Sequence, residues 1–231
     1  MKVTLISDTH TKHRQIEKDL PGGDILIHAG DFMNSGNILY DVEDFCEWFA
    51  GQHQYDKKVF IAGNHDRAFE IKPDQVKSIL DQFPNIIYLE DEAFGLYSLD
   101  TDKSVKIYGS PWQPEFYNWA FNLPRNGDEM KARWDAIPDN TDILVTHGPP
   151  HGYLDVPGGQ SIRVGCEMLR YRVDEIKPKI HVFGHIHGSY GHYYNGHTHF
   201  FNASVLDERY QYTNLPFTFD WNPDTNEIIW L

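Results

Sequence analysis

Val3–Ile6 (VTLI) running into Ser7-Asp8-Thr9-His10, and Ile180–Phe183 (IHVF) running into Gly184-His185-Ile186-His187, are two copies of one figure at opposite ends of the chain. Three more copies lie between them. Ile25–Ile27 ends in His28-Ala29-Gly30-Asp31, Val59–Ala62 in Gly63-Asn64-His65-Asp66, and Ile143–Val145 in Thr146-His147-Gly148-Pro149-Pro150. Each run is short, Ile/Val-rich and apolar on successive positions, as strands buried on both faces are. Each stops on Asp, Asn or His. In open α/β sheets ligands bind outside the carboxyl ends of strands, so this pattern predicts one polar edge assembled from distant residues.

Helical patterns separate the runs. Ile38, Leu39, Val42, Phe45, Cys46 and Phe49 follow i, i+3, i+4 spacing, with Asp41, Glu43, Asp44 and Glu47 mostly off that face. Pro73 with Val76, Ile79, Leu80 and Phe83 predicts a second helix with proline near its start. Asp128–Ala136 and Val164–Ile176 are weaker helical patterns. Ile86–Leu89, Phe94–Leu99 and Val105–Tyr108 read as a three-stranded meander, and Tyr190–Tyr194, Thr198–Phe201 and Ile228–Leu231 as late strands. The expectation is an α/β chain with two packed sheets. The aromatic stretch Gly109–Gly127 has no period and reads as a functional loop. No repeat, low-complexity tract or interior linker divides residues 1–231, which are expected to form one domain.

Composition narrows the function. The chain has 231 residues, 40% of them hydrophobic and 14% aromatic, enough for a large core without staples. A net charge of −14 disfavours duplex nucleic acid, whose binders carry a basic stripe. No apolar run is long enough to span a membrane. The N-terminus reads as a strand rather than a signal peptide, and Cys46 and Cys166 suggest no disulfide framework. The expected location is therefore cytoplasmic.

Together the strand ends carry Asp8, His10, Asp31, Asn64, His65, His147, His185 and His187. Imidazole, carboxylate and amide donors suit Mn, Fe, Zn or similar ions better than Ca. The candidate ligands among them exceed what one catalytic ion takes from protein, and two ions sharing a carboxylate account for the excess. Turn chemistry explains Gly, Asn and Asp at such positions, but it does not call for histidine at four of five ends.

Asp8-x-His10, Gly30-Asp31, Gly63-Asn64-His65-Asp66, Thr146-His147-Gly148 and Gly184-His185-x-His187 resemble the five ordered motifs of the calcineurin-like metallophosphoesterases. A narrower likeness, to the metallophosphoesterase-domain-containing proteins first described from brain, rests on IAGNH (61–65), IYGSPW (107–112), FNLPR (121–125), TDILVTHGPP (141–150), RVGC (163–166) and NAS (202–204). Some of that group have Gly where this chain keeps His185, and are poorly active.

The resemblance implies a β-sandwich of two sheets flanked by helices. It implies one ion on Asp8, His10, Asp31 and His187, and another on Asp31, Asn64, His147 and His185, with Asp31 bridging. Mn is the favoured ion, with Fe, Zn, Ni, Co or Mg as alternatives. Attack would come from a metal-bridging hydroxide in line with the leaving group. Asn64 and the ions would stabilise the equatorial oxygens, and His65 would protonate the departing oxygen. Asp66 either orients His65, holds it protonated, or caps the helix after it. Two ions against Asp8 and Asp31 leave the pocket about two charges positive, which suits a small phosphate ester.

Arg67 and Arg125 are candidate phosphate partners, Trp112, Tyr117 and Trp119 candidate stacking or loop-packing residues, and His151 a candidate substrate contact. His28 is expected to be a core residue or one that fixes a ligand's orientation, rather than a ligand itself. His13 and His53 are expected at the surface, and His192, His197 and His199 on an exposed strand face. The reading is a phosphodiesterase acting on a nucleotide or cyclic nucleotide. Its alternatives are a phosphomonoesterase or nucleotidase, without the GDxxDRG block of protein phosphatases, and a non-catalytic module on the same fold.

Overall fold

The computed structural model describes residues 1–98 and 103–231. Two six-stranded sheets face each other. The first runs from edge to edge as Glu227–Trp230, Phe217–Asn222, Lys2–Ile6, Gly23–His28, Tyr55–Phe60 and Ile87–Tyr88. The second runs as Gly191–Tyr194, His199–Asn202, Ile180–Phe183, Ile143–Thr146, Lys103–Ser110 and Glu92–Ser98. At the centre of both, the strands are parallel: Ile6 pairs with His28 and His28 with Phe60, and Val145 pairs with Val182 and Gly109. Parallel pairing in this register brings all the polar strand ends of one sheet to the same edge. The two edges meet where Ser7 bridges to Ser204, and Val205 N–H donates to Ser7 O at 3.0 Å.

The unbroken apolar runs are explained by three separate cores. Alternate residues such as Val3, Leu5, Ile25, Ile27, Val59, Ile143, Val145 and Val182 fill the space between the sheets. Their neighbours point outward: Ile6, Leu26 and Phe60 pack under helix Leu39–Ala50, while Leu144, Phe183 and Phe200 pack under helices Asp128–Asp135 and Glu167–Ile176. Four layers result, the expected flanked sandwich. Helix Leu39–Ala50 buries the predicted Val42, Phe45, Cys46 and Phe49, with Phe45 stacked on Phe32 at 4.0 Å. Pro73 opens the next long helix, Pro73–Leu80, as expected.

Several local expectations change. The mid-chain meander does not form: Ile87–Tyr88 joins the first sheet, and the chain then crosses to the second, where Glu92–Ser98 and Lys103–Ser110 pair antiparallel. The Leu99 end of the expected strand lies outside the described residues. Phe217–Asn222, which the late-strand pattern passes over, pairs with both Lys2–Ile6 and Glu227–Trp230. The helix expected from Val164 begins at Glu167, because Cys166 caps it, its Sγ accepting from Leu169 N–H at 3.4 Å. His13 is buried in a 3-10 turn beside Asp44, with Nε2 and Oδ2 3.0 Å apart. His199 is buried as well, against Tyr194 and His192. His53 is exposed as expected. Among the described residues no helix is long and apolar enough to cross a membrane.

Phe201 and Phe219 stack across the two sheets at 5.0 Å and 8°, both without exposure. Phe201→Ala is expected to lower unfolding free energy by about 3–5 kcal/mol, the range for removing a buried phenyl ring. Urea denaturation checks this; a loss under about 1 kcal/mol would mean the sheets do not depend on that contact.

Candidate metal centre

Asp8, His10, Asp31, Asn64, His147, His185 and His187 meet at the joined strand ends. Their donor atoms form two groups that could each hold a divalent ion, Asp8/His10/His187 and Asp31/His147/His185, while His10, Asp31 and His65 form a third overlapping set. Asp31 Oδ2 lies between the groups, 3.3 Å from His147 Nε2, 3.8 Å from His10 Nε2 and 4.0 Å from His65 Nε2. Its other oxygen, Oδ1, accepts from His65 N–H at 2.7 Å. Asn64 Oδ1 lies 2.9 Å from His147 Nε2 and 2.8 Å from His185 Nδ1.

Backbone carbonyls set which nitrogen of His10, His147 and His187 faces inward. His10 Nδ1–H donates to Met33 O, His147 Nδ1–H to Ala29 O and His187 Nδ1–H to Asp207 O, at 2.9, 3.0 and 2.9 Å. Each is thereby left with an Nε2 lone pair aimed at the cluster. His10 Nε2 and His187 Nε2 are only 3.3 Å apart. Two neutral rings so placed would direct lone pairs at each other, so a cation belongs there. The donor set fits a borderline divalent metal ion.

The backbone is bent to make this arrangement. Asp8, His10, Asp31 and His185 all have left-handed φ, at 55°, 40°, 59° and 67°. Such conformations cost L-residues about 1–3 kcal/mol each and cluster at functional sites. Hydrogen bonds hold them: Asp8 N–H donates to Gly30 O, His10 N–H to Asp31 O, and His185 N–H to the Asp8 carboxylate. Close approach also requires glycine at two positions. A Cβ at Gly184 would lie 1.9 Å from Asp8 Oδ2, and one at Gly63 would lie 2.3 Å from Asp31 Oδ1.

Asp66 hydrogen-bonds elsewhere than at His65. Its carboxylate accepts from the amides of Asp31, Gly63 and Met33 at 2.9, 2.6 and 2.8 Å, so it clamps the two ligand loops together rather than touching His65 or capping a helix. Burial, and then the Asp31 carboxylate, push the Asp66 carboxyl well above its ordinary range. His28 supports the site as expected. It accepts from Gly30 N–H on Nδ1, so its Nε2–H donates to Thr9 Oγ1, between Asp8 and His10. Ser204, quoted within the NAS stretch but given no role by the sequence, holds Asp8 Oδ2 at 2.8 Å.

A cleft of about 460 Å³ opens over the cluster, lined by Asp31, Asn64, His65, His185 and His187 with Gln113, Phe116, Glu208 and Tyr210. His65 Nδ1–H donates to Asn34 O, and its ring stacks on Trp119 at 4.1 Å and 24°. Tyr210 packs on His10 and His187 and had no motif to mark it. The expected substrate contacts fare differently. Arg125 reaches the cleft, but its guanidinium is bound to Val164 O, Gly165 O and Glu167. Trp112 is held away from it by Asp91 and covered by Arg133. His151 does not line the cleft and is paired through its backbone to Cys166 and Arg170. Arg67 sits in an adjoining hollow.

The family described as calcineurin-like phosphoesterase matches residues 1–189. Metallophosphoesterase domain-containing protein 1 of Homo sapiens is 42% identical over 230 residues, covering 93% of this chain and 69% of the human one; the Mus musculus protein matches equally well. The Caenorhabditis elegans UPF0046 protein T07D4.2 is 36% identical over 95% of this chain and 60% of its own. Among solved structures, the Thermus thermophilus protein TT1561 superposes with a TM-score of 0.66 over 98% of this chain and 96% of its own, at 13% identity, which speaks for the fold alone. The chain belongs to the calcineurin-like phosphoesterase family, whose members are metal-dependent hydrolases.

Without a metal ion, protons take its place. Burial pushes His10 down to about 4 and His185 down to about 3. Burial also works against His147 and His187, but the Asp31 and Asp8 carboxylates beside them lift both to about 9. Their contribution to the stability of the metal-free protein is complete below about pH 6.5 and is lost as pH rises through about 9. Divalent ions must displace these protons, so affinity is expected to rise with pH from 6.5 to 9. Calorimetry in buffers of different ionisation heat should report about two protons released at pH 7.5. No proton release would contradict the assignment of the ion to these rings.

Proposed function

We propose that this chain is a dinuclear phosphodiesterase acting on a small phosphodiester, of which a nucleotide or cyclic nucleotide is the favoured class. The observation that carries the reading is Asp31 Oδ2, which belongs to the group with His147 and His185, 3.3 Å from His147 Nε2, and lies 3.8 Å from His10 Nε2 of the other group. Asp8, His10, Asp31 and His187 would hold one ion, and Asp31, Asn64, His147 and His185 the other, with Mn favoured. Ions held there supply Lewis-acid charge to the phosphoryl oxygens and acidify a water for attack at neutral pH. His65 presents Nε2 to the cleft because Nδ1 is taken by Asn34 O, so the protonated ring has a proton to give to the departing oxygen.

Charge in the cleft favours a diester over a monoester. Among the described residues lining it, Arg125 alone carries a guanidinium or ammonium group, and Glu167 already neutralises that one. Glu115 and Glu208 add negative charge at the walls. A monoester dianion gains no counter-charge from these walls beyond what the ions supply, whereas a diester linkage carries one negative charge at its phosphorus. The same acidity works against a long polyanion.

Metal-reconstituted protein is expected to hydrolyse bis-p-nitrophenyl phosphate and 2′,3′-cyclic AMP faster than p-nitrophenyl phosphate and AMP. A preference for the monoesters would replace this reading with a phosphomonoesterase. Inactivity with every divalent ion would replace it with a non-catalytic module. Asp31→Asn should abolish turnover and lower bound metal from about two ions per chain, measured by elemental analysis. His65→Ala should cost about 100-fold or more with an alkoxide leaving group and far less with p-nitrophenolate, which departs without a proton. Equal losses on both would remove His65 from that role.

A further inference from the structure

We propose that the hollow beside His65 is a second subsite, which seats the leaving half of the substrate and selects an aromatic alcohol carrying an additional anion. The proposal rests on the phosphodiesterase reading above, in which His65 faces the departing oxygen. The hollow, about 540 Å³, is lined by Arg67, Tyr117, Asn118 and Trp119, and shares His65, Phe116 and Tyr210 with the catalytic cleft. A group leaving past His65 therefore enters it directly.

Two features of the hollow are unused by the fold. The first is Arg67. Of the eight arginines in the chain, six meet a carboxylate. The Arg67 guanidinium has no hydrogen-bond or ion-pair partner among the described residues, although the chain has a net charge of −14. Its backbone is fixed two residues from His65, with Arg67 N–H donating to His65 O at 2.9 Å. An unpaired guanidinium at that place is a ready partner for phosphate or carboxylate.

The second is the aromatic wall. Phe116 and Tyr117 are 47% and 77% exposed, in edge contact at 4.6 Å. They do not stand on a loose flap. Asn122 Nδ2 donates to Tyr117 O and Phe116 O, Gln113 N–H donates to Phe121 O, and Ala120 N–H donates to Asn64 O, which ties the loop to the metal-centre strand end. Exposed rings on a pinned support offer a stacking surface without an ordering cost, and a flat ring fits them. Arg67 then pairs with the anion borne by that ring's fragment, the combination a nucleotide-type leaving group presents.

The test pairs binding with turnover. 4-Hydroxybenzoate and its uncharged counterpart 4-hydroxybenzamide are titrated into the metal-loaded protein, following the Trp119 indole N–H resonance, which is assigned by its loss in Trp119→Phe. The carboxylate is expected to bind at least about tenfold more tightly than the amide. Arg67→Gln should erase that difference while leaving amide affinity within about threefold, and Arg67→Lys should retain part of it. Hydrolysis of methyl 4-carboxyphenyl phosphate over methyl 4-carbamoylphenyl phosphate should show the same preference in kcat/KM, again lost in Arg67→Gln. Equal affinity for the two ligands, or a preference that survives Arg67→Gln, overturns the subsite. If neither diester is cleaved, the phosphodiesterase reading fails and the binding titration decides the subsite by itself.

Discussion

A single carboxylate oxygen, Asp31 Oδ2, lies within 4.0 Å of three imidazole nitrogens belonging to both sheets and to His65. Like the lone pairs of His10 and His187 turned on one another, this is an arrangement that only positive charge makes favourable. The surrounding structure exists to impose it. Carbonyls of Met33, Ala29 and Asp207 choose the ring tautomers, and the Asp66 carboxylate binds the Asp31 and Gly63 loops into one unit.

Such a centre needs a stiff frame. Four candidate ligands sit in left-handed backbone, and nothing local in an aspartate or histidine rewards that conformation enough to keep it. What keeps it is the pair of sheets below, buried on both faces and joined at Ser7 and Ser204. Ser204 shows how closely frame and site are linked: the seam that joins the sheets also supplies the hydroxyl that holds Asp8.

Charge is divided by depth. The outside of the molecule is acidic, and the Arg125 guanidinium in the cleft is neutralised by Glu167, so positive charge for a phosphate ester comes from the ions the cluster would hold. Arg67 stands apart from this arrangement, at the mouth of a hollow walled by aromatic rings on a braced loop.

Much of this was legible before any fold was known. Buried parallel strands leave continuous Ile/Val runs, and metal sites at their ends leave Asp, Asn and His at fixed offsets, so the two packed sheets and their polar strand ends follow from local pattern, while the family resemblance implied the flanked sandwich and the ligand set. What local pattern does not carry is partnership across distance. Ile86–Leu89 has the composition of a strand, yet whether it continues a meander or closes the first sheet depends on which edge is open. Asp66, Arg125 and Trp112 look like chemistry in sequence, and became a clamp, a loop tie and a packed ring only when backbone amides, Glu167 and Asp91 arrived beside them. His13 reads as a surface residue until Asp44 and Trp48 close over it. The sequence alone determined which side chains can meet a cation, because donor chemistry is a property of the residue. Only the tertiary structure decided which of the remaining polar groups stay free to meet a substrate, because a charge or hydrogen bond already satisfied by a distant neighbour has little left to offer a ligand.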